Sequence, residues 1–211
     1  MKQKLLHQSL IVTLVTMVLL LAGSSVSAQE KYNLGIAGVA VTSENCSDLT
    51  AIPGVAGKVS YDPTTKTLTL EDAFIDGGKY IGISSDDELT CVVKGEVSII
   101  SNNWDAMRFY SNAIIKGNGQ LTLKAPKQVG IYTEAALLIE GCTVYAEGYF
   151  WGIRGSYDKP RAFLTIRNAS VTVKSLWGGL HRRLHKLNPR EVRDHETRRG
   201  CLELQQARRL R

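Results

Sequence analysis

Residues 82–100 read GISSDDELTCVVKGEVSII, and residues 106–124 read AMRFYSNAIIKGNGQLTLK. Each stretch begins with a small residue followed by an apolar one. Two runs of alternating apolar and polar residues then follow, separated by a glycine or asparagine turn. The opening pair recurs at positions 82, 106, 130, 152 and 179, at intervals of 24, 24, 22 and 27 residues. Such fixed self-similarity is typical of proteins built from stacked repeats.

The repeated unit is too short and too rich in strands for other common repeat proteins. Its runs are about four to six residues long and lack the 3.6-residue period of a helix. Propeller blades need about 40–45 residues, and the fixed asparagine of leucine-rich repeats is absent. A unit of this length, at about 3.3 Å per residue, can circle an apolar interior, with neighbouring coils about 4.8 Å apart. We therefore predict an all-β fold, a right-handed parallel β-helix or solenoid of about four to five coils.

Stacked coils would place similar residues in columns. We expect three inward ladders, Leu89/Ala113/Leu137 and Val93/Ile115/Ile139 in one sheet and Leu121/Val144/Val171 in another. The glycine of each small–apolar pair should lie at a corner, where a side chain would obstruct the bend or where φ is positive.

Residues 29–78 differ from the repeats that follow. They contain the alternating stretch YNLGIAGVAVTSEN and the stretch VSYDPTTKTLTLEDAFI, in which Asp62 and Pro63 form a strong turn signal between two strands. We predict an N-terminal strand or hairpin cap and a first coil here. An open solenoid end needs such a cap, because it would otherwise expose apolar side chains and unpaired strand edges. The β-helix domain should cover residues 29–180.

Residues 1–28 have the pattern of a secretory signal peptide. Lys2 and Lys4 precede an apolar run at residues 10–21, which is short for a bilayer span. Small residues at positions 26–28 then provide a cleavage site. The alternative is an N-terminal membrane anchor. We expect export to the extracellular space or the cell surface, with no membrane span after cleavage.

Residues 181–211 lose the alternation and carry clustered basic residues. One interpretation is a short amphipathic helix at about residues 203–210. The other is a shift of reading frame, because a one-base shift with permitted codons can read this tail as GDFTSLTLEKCEITKPEGAAW, which resumes the alternation. A shifted frame would have removed the native C-terminal cap. We then expect a monomer that is prone to aggregation.

The charge of the whole chain is misleading about function. The formal net charge is +6 and the isoelectric point is about 9.2, which suggests a nucleic-acid partner. Without residues 1–28 and 181–211, however, 14 basic residues face 16 acidic ones. All four histidines also lie in these two end segments. The body is therefore a poor candidate for nucleic-acid binding, for imidazole catalysis and for most zinc sites.

Aromatic and arginine side chains gather near the small–apolar pairs. The candidate ligand-binding residues are Tyr80, Trp104, Tyr110, Tyr132, Phe150, Trp151, Arg108 and Arg154. Flat sugar faces pack on exposed aromatic rings, and arginine can bind a uronate carboxylate through two hydrogen bonds or act as the base of a lyase. The alternative is a ladder of aromatic rings that packs the corner. Phe150 and Trp151 should point to opposite faces, so that only one of them is outward.

An acidic turn is a weaker candidate site. Asp86, Asp87 and Glu88 are consecutive, and we place Asp105 and Glu134 in the following turns. Stacked carboxylates can hold Ca²⁺ through oxygen ligands, although no known calcium-loop spacing is present. The alternative is a solvated turn. No other cofactor and no catalytic residue is predicted.

The stretches YNLGIAGVAVTSEN and GKVSYDPTTKTLTLEDAFI, with the repeats after them, resemble a family of secreted carbohydrate-binding domain-containing proteins of Bacteroidetes-type gut and oral bacteria. These proteins are similar to cellulose- and pectin-binding β-helix proteins. The resemblance covers about residues 32–180. It implies a binding role and carries no catalytic motif. In that family the chain usually continues with a further unit, which the shifted reading of the tail reproduces.

We therefore expect a secreted, non-catalytic protein of the bacterial cell surface that binds a polysaccharide or surface glycan. One alternative is a polysaccharide lyase or hydrolase built on a β-helix. The other is a purely structural or adhesive surface protein without a ligand groove.

Overall fold

The computed structural model describes residues 29–156 and 163–177, together with the backbone of residues 192–197 and 201–206. The predicted signal peptide lies outside these residues. The chain divides into two compact units at the boundary between Glu30 and Lys31, and the second unit carries the fold. In its described part, the secondary structure is β apart from one turn of 3-10 helix, Leu49–Ala51. No described helix is long and apolar enough to cross a membrane.

Two antiparallel hairpins begin the fold. Their strands are β1 (Lys31–Ile36), β2 (Val39–Thr42), β3 (Val55–Asp62) and β4 (Thr67–Asp76). The turn between β3 and β4 is held by Asp62, whose carboxylate accepts hydrogen bonds from the Thr64 and Thr65 backbone N–H groups at 2.9 and 3.4 Å. The turn predicted at Asp62 and Pro63 is therefore confirmed.

Four coils of three strands each follow. The strands are β5 (Ile83–Ser85), β6 (Leu89–Lys94), β7 (Glu96–Ile100), β8 (Met107–Phe109), β9 (Ala113–Gly117), β10 (Gln120–Ala125), β11 (Val129–Thr133), β12 (Leu137–Glu140), β13 (Thr143–Gly148), β14 (Trp151–Gly155), β15 (Leu164–Arg167) and β16 (Ser170–Ser175). Each strand pairs in parallel with its counterpart in the next coil. The prediction of an all-β parallel β-helix is confirmed.

The coils have three outer faces. We call the outer side of β5, β8, β11 and β14 face 1, that of β6, β9, β12 and β15 face 2, and that of β7, β10, β13 and β16 face 3. The hairpins cover the start of all three stacks. β1 pairs antiparallel with β5, while β4 pairs with β6 through Thr67–Glu71 and with β7 through Phe74–Asp76. β4 turns this corner at Asp72, which has a φ of 46°. The predicted N-terminal cap is thus confirmed.

The inward ladders follow the expected columns with one correction. Leu89/Ala113/Leu137 and Leu121/Val144/Val171 are in register as predicted. In the remaining ladder the prediction was wrong, because Cys91 pairs with Ile115, whereas Val93 pairs with Gly117. The reason is that β6 and β9 start in step at Leu89 and Ala113. The inward residue two positions after Leu89 is Cys91.

Corner glycines are required by close approach and not by φ. A Cβ on Gly82 would lie 2.6 Å from the Ala106 carbonyl oxygen, and one on Gly130 would lie 2.5 Å from that of Gly152. Positive φ instead occurs at Gly95, which lies in the turn between β6 and β7. Of the two reasons predicted for these glycines, the steric one is therefore correct. The last small–apolar pair, at positions 179 and 180, lies outside the described residues.

The tail contributes two strands, β17 (Val192–Thr197) and β18 (Cys201–Gln206). β18 pairs antiparallel with β16, and β17 pairs antiparallel with β18. The helix interpretation of residues 203–210 is wrong as far as residue 206, because the backbone there is extended. Among the described strands, parallel pairing on face 3 thus ends at β16.

Candidate functional site

The central column of face 1 brings three predicted site residues together. Ser84, Arg108, Tyr132 and Arg154 are in register on successive coils. Each is the residue between two buried ones in its strand, so the alternation of side chains turns it outward. The sequence pattern that builds the core therefore also builds this column.

Guanidinium groups and aromatic rings are interleaved along the column. The Cζ atom of Arg108 lies 5.1 Å from the ring centroid of Tyr132, and that of Arg154 lies 5.8 Å from the same centroid. Arg108 also lies 5.6 Å from the ring of Trp104 and 6.0 Å from that of Tyr110. Cation–π contacts at such distances contribute about 0.5–1 kcal/mol each at exposed sites. We call these five residues the aromatic–arginine cluster.

A buried carboxylate anchors the cluster. Asp105 is 1% exposed, and its Oδ2 atom lies 2.7 Å from both Nε and Nη2 of Arg108. Its Oδ1 atom accepts a hydrogen bond from the Val129 N–H at 3.1 Å. Two guanidinium nitrogens of Arg108 thus share one carboxylate oxygen of Asp105, while the other oxygen is held by the backbone of the next coil.

The placement of Asp105 in the acidic turn was wrong. The residue lies before β8, whereas Asp86–Glu88 follow β5 and so lie at the other end of these strands. The sequence did contain a signal, because in three of the other four repeats the residue at the same place is apolar, namely Ile81, Val129 and Trp151. A carboxylate where its counterparts are apolar is one that needs a charged partner.

Burial and pairing act in opposite directions on these two ionisable groups. Desolvation raises the pKa of Asp105, although the charge of Arg108 and its hydrogen bond oppose that rise. Desolvation disfavours the charged form of Arg108, yet the hydrogen bond from its Nη1 to Tyr110 Oη, at 3.2 Å, and the charge of Asp105 raise the pKa of its guanidinium. Arg108 therefore stays protonated at neutral pH.

The rings around Arg108 remain accessible to a ligand. The exposed fractions of Trp104 and Tyr110 are 46% and 37%, while Tyr132 is half-buried. The side chain of Arg108 itself is 22% exposed. The surface that a ligand can touch consists mainly of aromatic ring, with the guanidinium beneath it.

Two of the other three predicted aromatics contact residues outside the cluster. Tyr80 packs over Gly38 in the β1–β2 turn, where a Cβ would overlap its ring, and Lys79 Nζ lies 5.2 Å from its centroid. Phe150 meets Tyr149 edge to face, with centroids 4.9 Å apart. Trp151 is half-buried at the start of β14.

Of the pair Phe150 and Trp151, the structure exposes Phe150, which precedes β14. Trp151 is only partly exposed and pairs with the buried Val129, the residue of β11 two positions before the inward Ile131. The prediction that only one of the two faces outward is not contradicted.

The acidic turn is exposed and engaged with asparagine side chains. Asp87 Oδ2 accepts a hydrogen bond from Asn33 Nδ2 at 3.2 Å, and Glu88 Oε1 accepts one from Asn112 Nδ2 at 3.0 Å. Asp86 is exposed beside them. Among the described residues no three His, Cys, Asp or Glu side chains are grouped so that they could hold a metal ion. Calcium binding stays a prediction.

One surface feature was missed from the sequence. A groove of about 460 Å³ follows the corner at the end of face 3. Its lining residues are Ile100, Lys124, Ala125, Pro126, Glu147, Gly148, Tyr149, Lys174, Ser175 and Leu176. Residues of several coils line the groove, so it cannot be recognised from the sequence of a single repeat. The available signal was the outward column Lys124–Glu147–Lys174, in which Lys174 Nζ lies 2.8 Å from Glu147 Oε1.

No protein-family model, curated protein or solved structure matches this chain. The resemblance to secreted carbohydrate-binding β-helix proteins therefore stays a prediction. A role for this chain is therefore inferred from the residues of its own surface.

Proposed function

We propose that this protein is a secreted, non-catalytic polysaccharide-binding protein and that the aromatic–arginine cluster is part of its binding surface. The observation that carries this proposal is a pair of exposed rings, Trp104 and Tyr110, that lie against the guanidinium of Arg108. The buried carboxylate of Asp105 holds that guanidinium in place. Aromatic rings offer large contact areas with few rotatable bonds. The C–H faces of sugar rings are flat and apolar, and they pack on such surfaces.

The cluster is organised before a ligand arrives. Asp105 holds Arg108, and Arg108 in turn lies against three rings. Ordering a mobile side chain on binding costs about 0.5–1.5 kcal/mol. A surface whose rings already have a shared support avoids part of that cost, which favours binding of a weakly interacting ligand such as a sugar.

The edges of the cluster can hydrogen-bond sugar hydroxyls. Tyr110 and Tyr132 each carry a phenolic group, and Tyr132 Oη lies 3.3 Å from Glu134 Oε1. Hydroxyl, carboxylate and guanidinium groups together provide both donors and acceptors. A carbohydrate presents both as well, so its polar edge can be matched while its face rests on a ring.

The state of Arg108 favours binding over lyase chemistry. A base must be able to lose its proton near the working pH. Desolvation favours that loss in Arg108, but the Tyr110 hydrogen bond and the charge of Asp105 outweigh it and raise the pKa of the guanidinium. Because its guanidinium is already paired with Asp105, Arg108 supports the rings more than it binds a uronate carboxylate directly. Export of the protein is inferred from residues 1–28 of the sequence.

The test is a binding screen with matched variants. Wild type, Trp104→Ala and Tyr110→Ala are run by affinity electrophoresis against soluble polysaccharides. Phe74→Ala is the control, because Phe74 is also an exposed ring but lies on β4 beside β7. We expect each cluster variant to lose at least ten-fold in affinity for the polysaccharide retained by wild type, with little change for Phe74→Ala.

Three results would contradict the proposal. Failure of the folded wild type to bind any polysaccharide would favour the structural or adhesive alternative. Equal losses of affinity in the cluster variants and the control would mean that the binding surface does not lie at the cluster. Release of unsaturated uronate products would favour the lyase alternative.

A further inference from the structure

Exposed aromatic rings recur at one corner of the β-helix. In four of the five repeats, the residue two positions before the small–apolar pair is aromatic and exposed, and these residues are Tyr80, Trp104, Phe150 and Trp177. We call them the corner column. Large apolar side chains that are exposed singly are ordinary, but repetition at one position marks a surface for interaction.

Strand pairing keeps this corner in step from coil to coil. Ile83, Met107, Ile131 and Ile153 begin or lie in successive face 1 strands and are in register. Neighbouring parallel strands are about 4.8 Å apart, so Trp104 and Phe150, two coils apart, are separated by about 9.6 Å along the helix axis. This separation exceeds one sugar ring and is of the order of a disaccharide in an extended chain.

The turns beyond Phe150 continue the same stacking. The Leu176 N–H donates a hydrogen bond to the Tyr149 carbonyl at 3.2 Å. The turn that carries Trp177 therefore stacks on the turn that carries Phe150. The corner column thus extends to the last turn that the structure describes.

The groove lies along this corner and crosses several coils. Pro126, Tyr149 and Leu176, from three successive coils, line it. Tyr149 is also in edge-to-face contact with Phe150. An apolar groove that crosses coils beside a row of rings suits an extended chain better than a compact molecule, which would be held by a pocket within one coil.

Coil three interrupts the corner column. Its residue at the equivalent position is Gln128, which is half-buried and whose carbonyl accepts a hydrogen bond from the Phe150 N–H at 3.2 Å. The rings on either side are Trp104 and Phe150. A ligand that uses both must therefore bridge the coil of Gln128.

We infer that the ligand is a linear polysaccharide of extended, ribbon-like shape, built from pyranose rings with equatorial linkages, and that it lies parallel to the helix axis. Separate sugars of one chain stack on Trp104 and Phe150. Recognition is then of an internal stretch of the chain and not of its end. This inference rests on the proposed function and specifies its ligand.

Affinity should depend on the length of the oligosaccharide. Oligosaccharides of two to eight sugars, prepared from the polysaccharide that wild type retains, are titrated calorimetrically. We expect affinity to rise at least ten-fold between two and six sugars and then to level off. Equal affinity for the disaccharide and the hexasaccharide would overturn the inference while leaving the proposed function in place.

Filling the gap should strengthen binding. Gln128→Trp would complete the corner column, and Gln120→Trp is the matched control because Gln120 is an exposed glutamine in the face 3 strand β10. We expect Gln128→Trp to raise affinity for the hexasaccharide several-fold, with no change for Gln120→Trp. A folded Gln128→Trp protein with unchanged or weaker binding would count against the inference.

Phe150→Ala keeps the test decisive if the half-buried position 128 does not accept tryptophan. This variant removes the ring on one side of the gap. We expect it to bind the hexasaccharide no more tightly than the disaccharide. Retention of the full length dependence by Phe150→Ala would overturn the inference, and absence of all carbohydrate binding in wild type would instead overturn the proposed function.

Discussion

A single carboxylate, Asp105, organises the outer surface of face 1. It is almost fully buried, and it pairs with an arginine that lies against three aromatic rings. Breaking a buried ion pair leaves an uncompensated charge. The position of the rings is therefore linked to a residue that no ligand touches.

The raised pKa of Asp105 gives this residue a pH signature. The folded protein holds the proton more tightly than the unfolded chain does, so protonation of Asp105 stabilises the fold at low pH. This contribution is lost as pH rises from 3.8, the ordinary pKa of an aspartate, through the raised pKa of the folded state. Asp105→Asn cannot titrate. We expect the stability of wild type relative to Asp105→Asn to fall as pH increases across that window.

The measurement is urea unfolding of both proteins at a series of pH values. Comparing the two proteins removes the opposite contributions of exposed carboxylates such as Asp62, whose pKa is lowered by hydrogen bonds from threonine. Glu140→Gln is the control, because Glu140 forms a solvent-exposed pair with Arg167 at 3.3 Å. A stability difference between wild type and Asp105→Asn that rises with pH would reverse the sign and refute the prediction.

At the scale of the strand, small residues set how closely the coils approach. A Cβ at Gly130 of β11 would lie 2.5 Å from a backbone oxygen of the next coil, and a backbone oxygen cannot move aside cheaply. We expect Gly130→Ala to destabilise the protein by about 1–3 kcal/mol, as overpacking does. Thermal unfolding followed by circular dichroism measures the loss.

Thr122→Ala is the matched control for that change. Thr122 lies on the outer side of β10, where a smaller side chain meets no facing backbone. We expect its melting temperature to stay close to that of wild type. A Gly130→Ala protein as stable as this control would show that the coils can separate at the corner without penalty.

The repeat period and the alternation of apolar residues were sufficient to predict the strands and most inward ladders. They were not sufficient for the register of Val93, because a column depends on where each strand begins, and β6 begins at Leu89. Alternation alone does not place Phe150, which lies in a turn before β14. The rule holds within a strand and ends with it.

The candidate site could be predicted only in part for a similar reason. The outward positions of Arg108, Tyr132 and Arg154 follow from alternation. The partner of Arg108 could not be read from alternation, because Asp105 lies outside the strands and its burial depends on the neighbouring coil. The groove escaped prediction because it forms between coils.

At the scale of the whole molecule, the two ends of the β-helix differ in the strands that cover them. The hairpins β1–β2 and β3–β4 cover the three stacks at the start. At the other end, β16 pairs with the antiparallel strand β18, while β14 and β15 each pair with one strand in the part of the chain that the structure describes. The frame-shift hypothesis for residues 181–211 stays a prediction, and it concerns this end.

This difference between the ends predicts a gradient of local stability. Repeat proteins are stabilised mainly by contacts between neighbouring units, so strands with one neighbour should open more readily than those with two. We expect amide hydrogen exchange to be slowest in β8 and β9, which have a strand on both sides, and faster in β14 and β15. Exchange measured by mass spectrometry on peptides from each coil resolves the order.

Within the last coil, β16 is the internal control, since β18 covers its outer edge and should slow its exchange relative to β15. Equal protection of β9 and β15 would mean that the solenoid unfolds as one cooperative unit, with its ends no weaker than its middle.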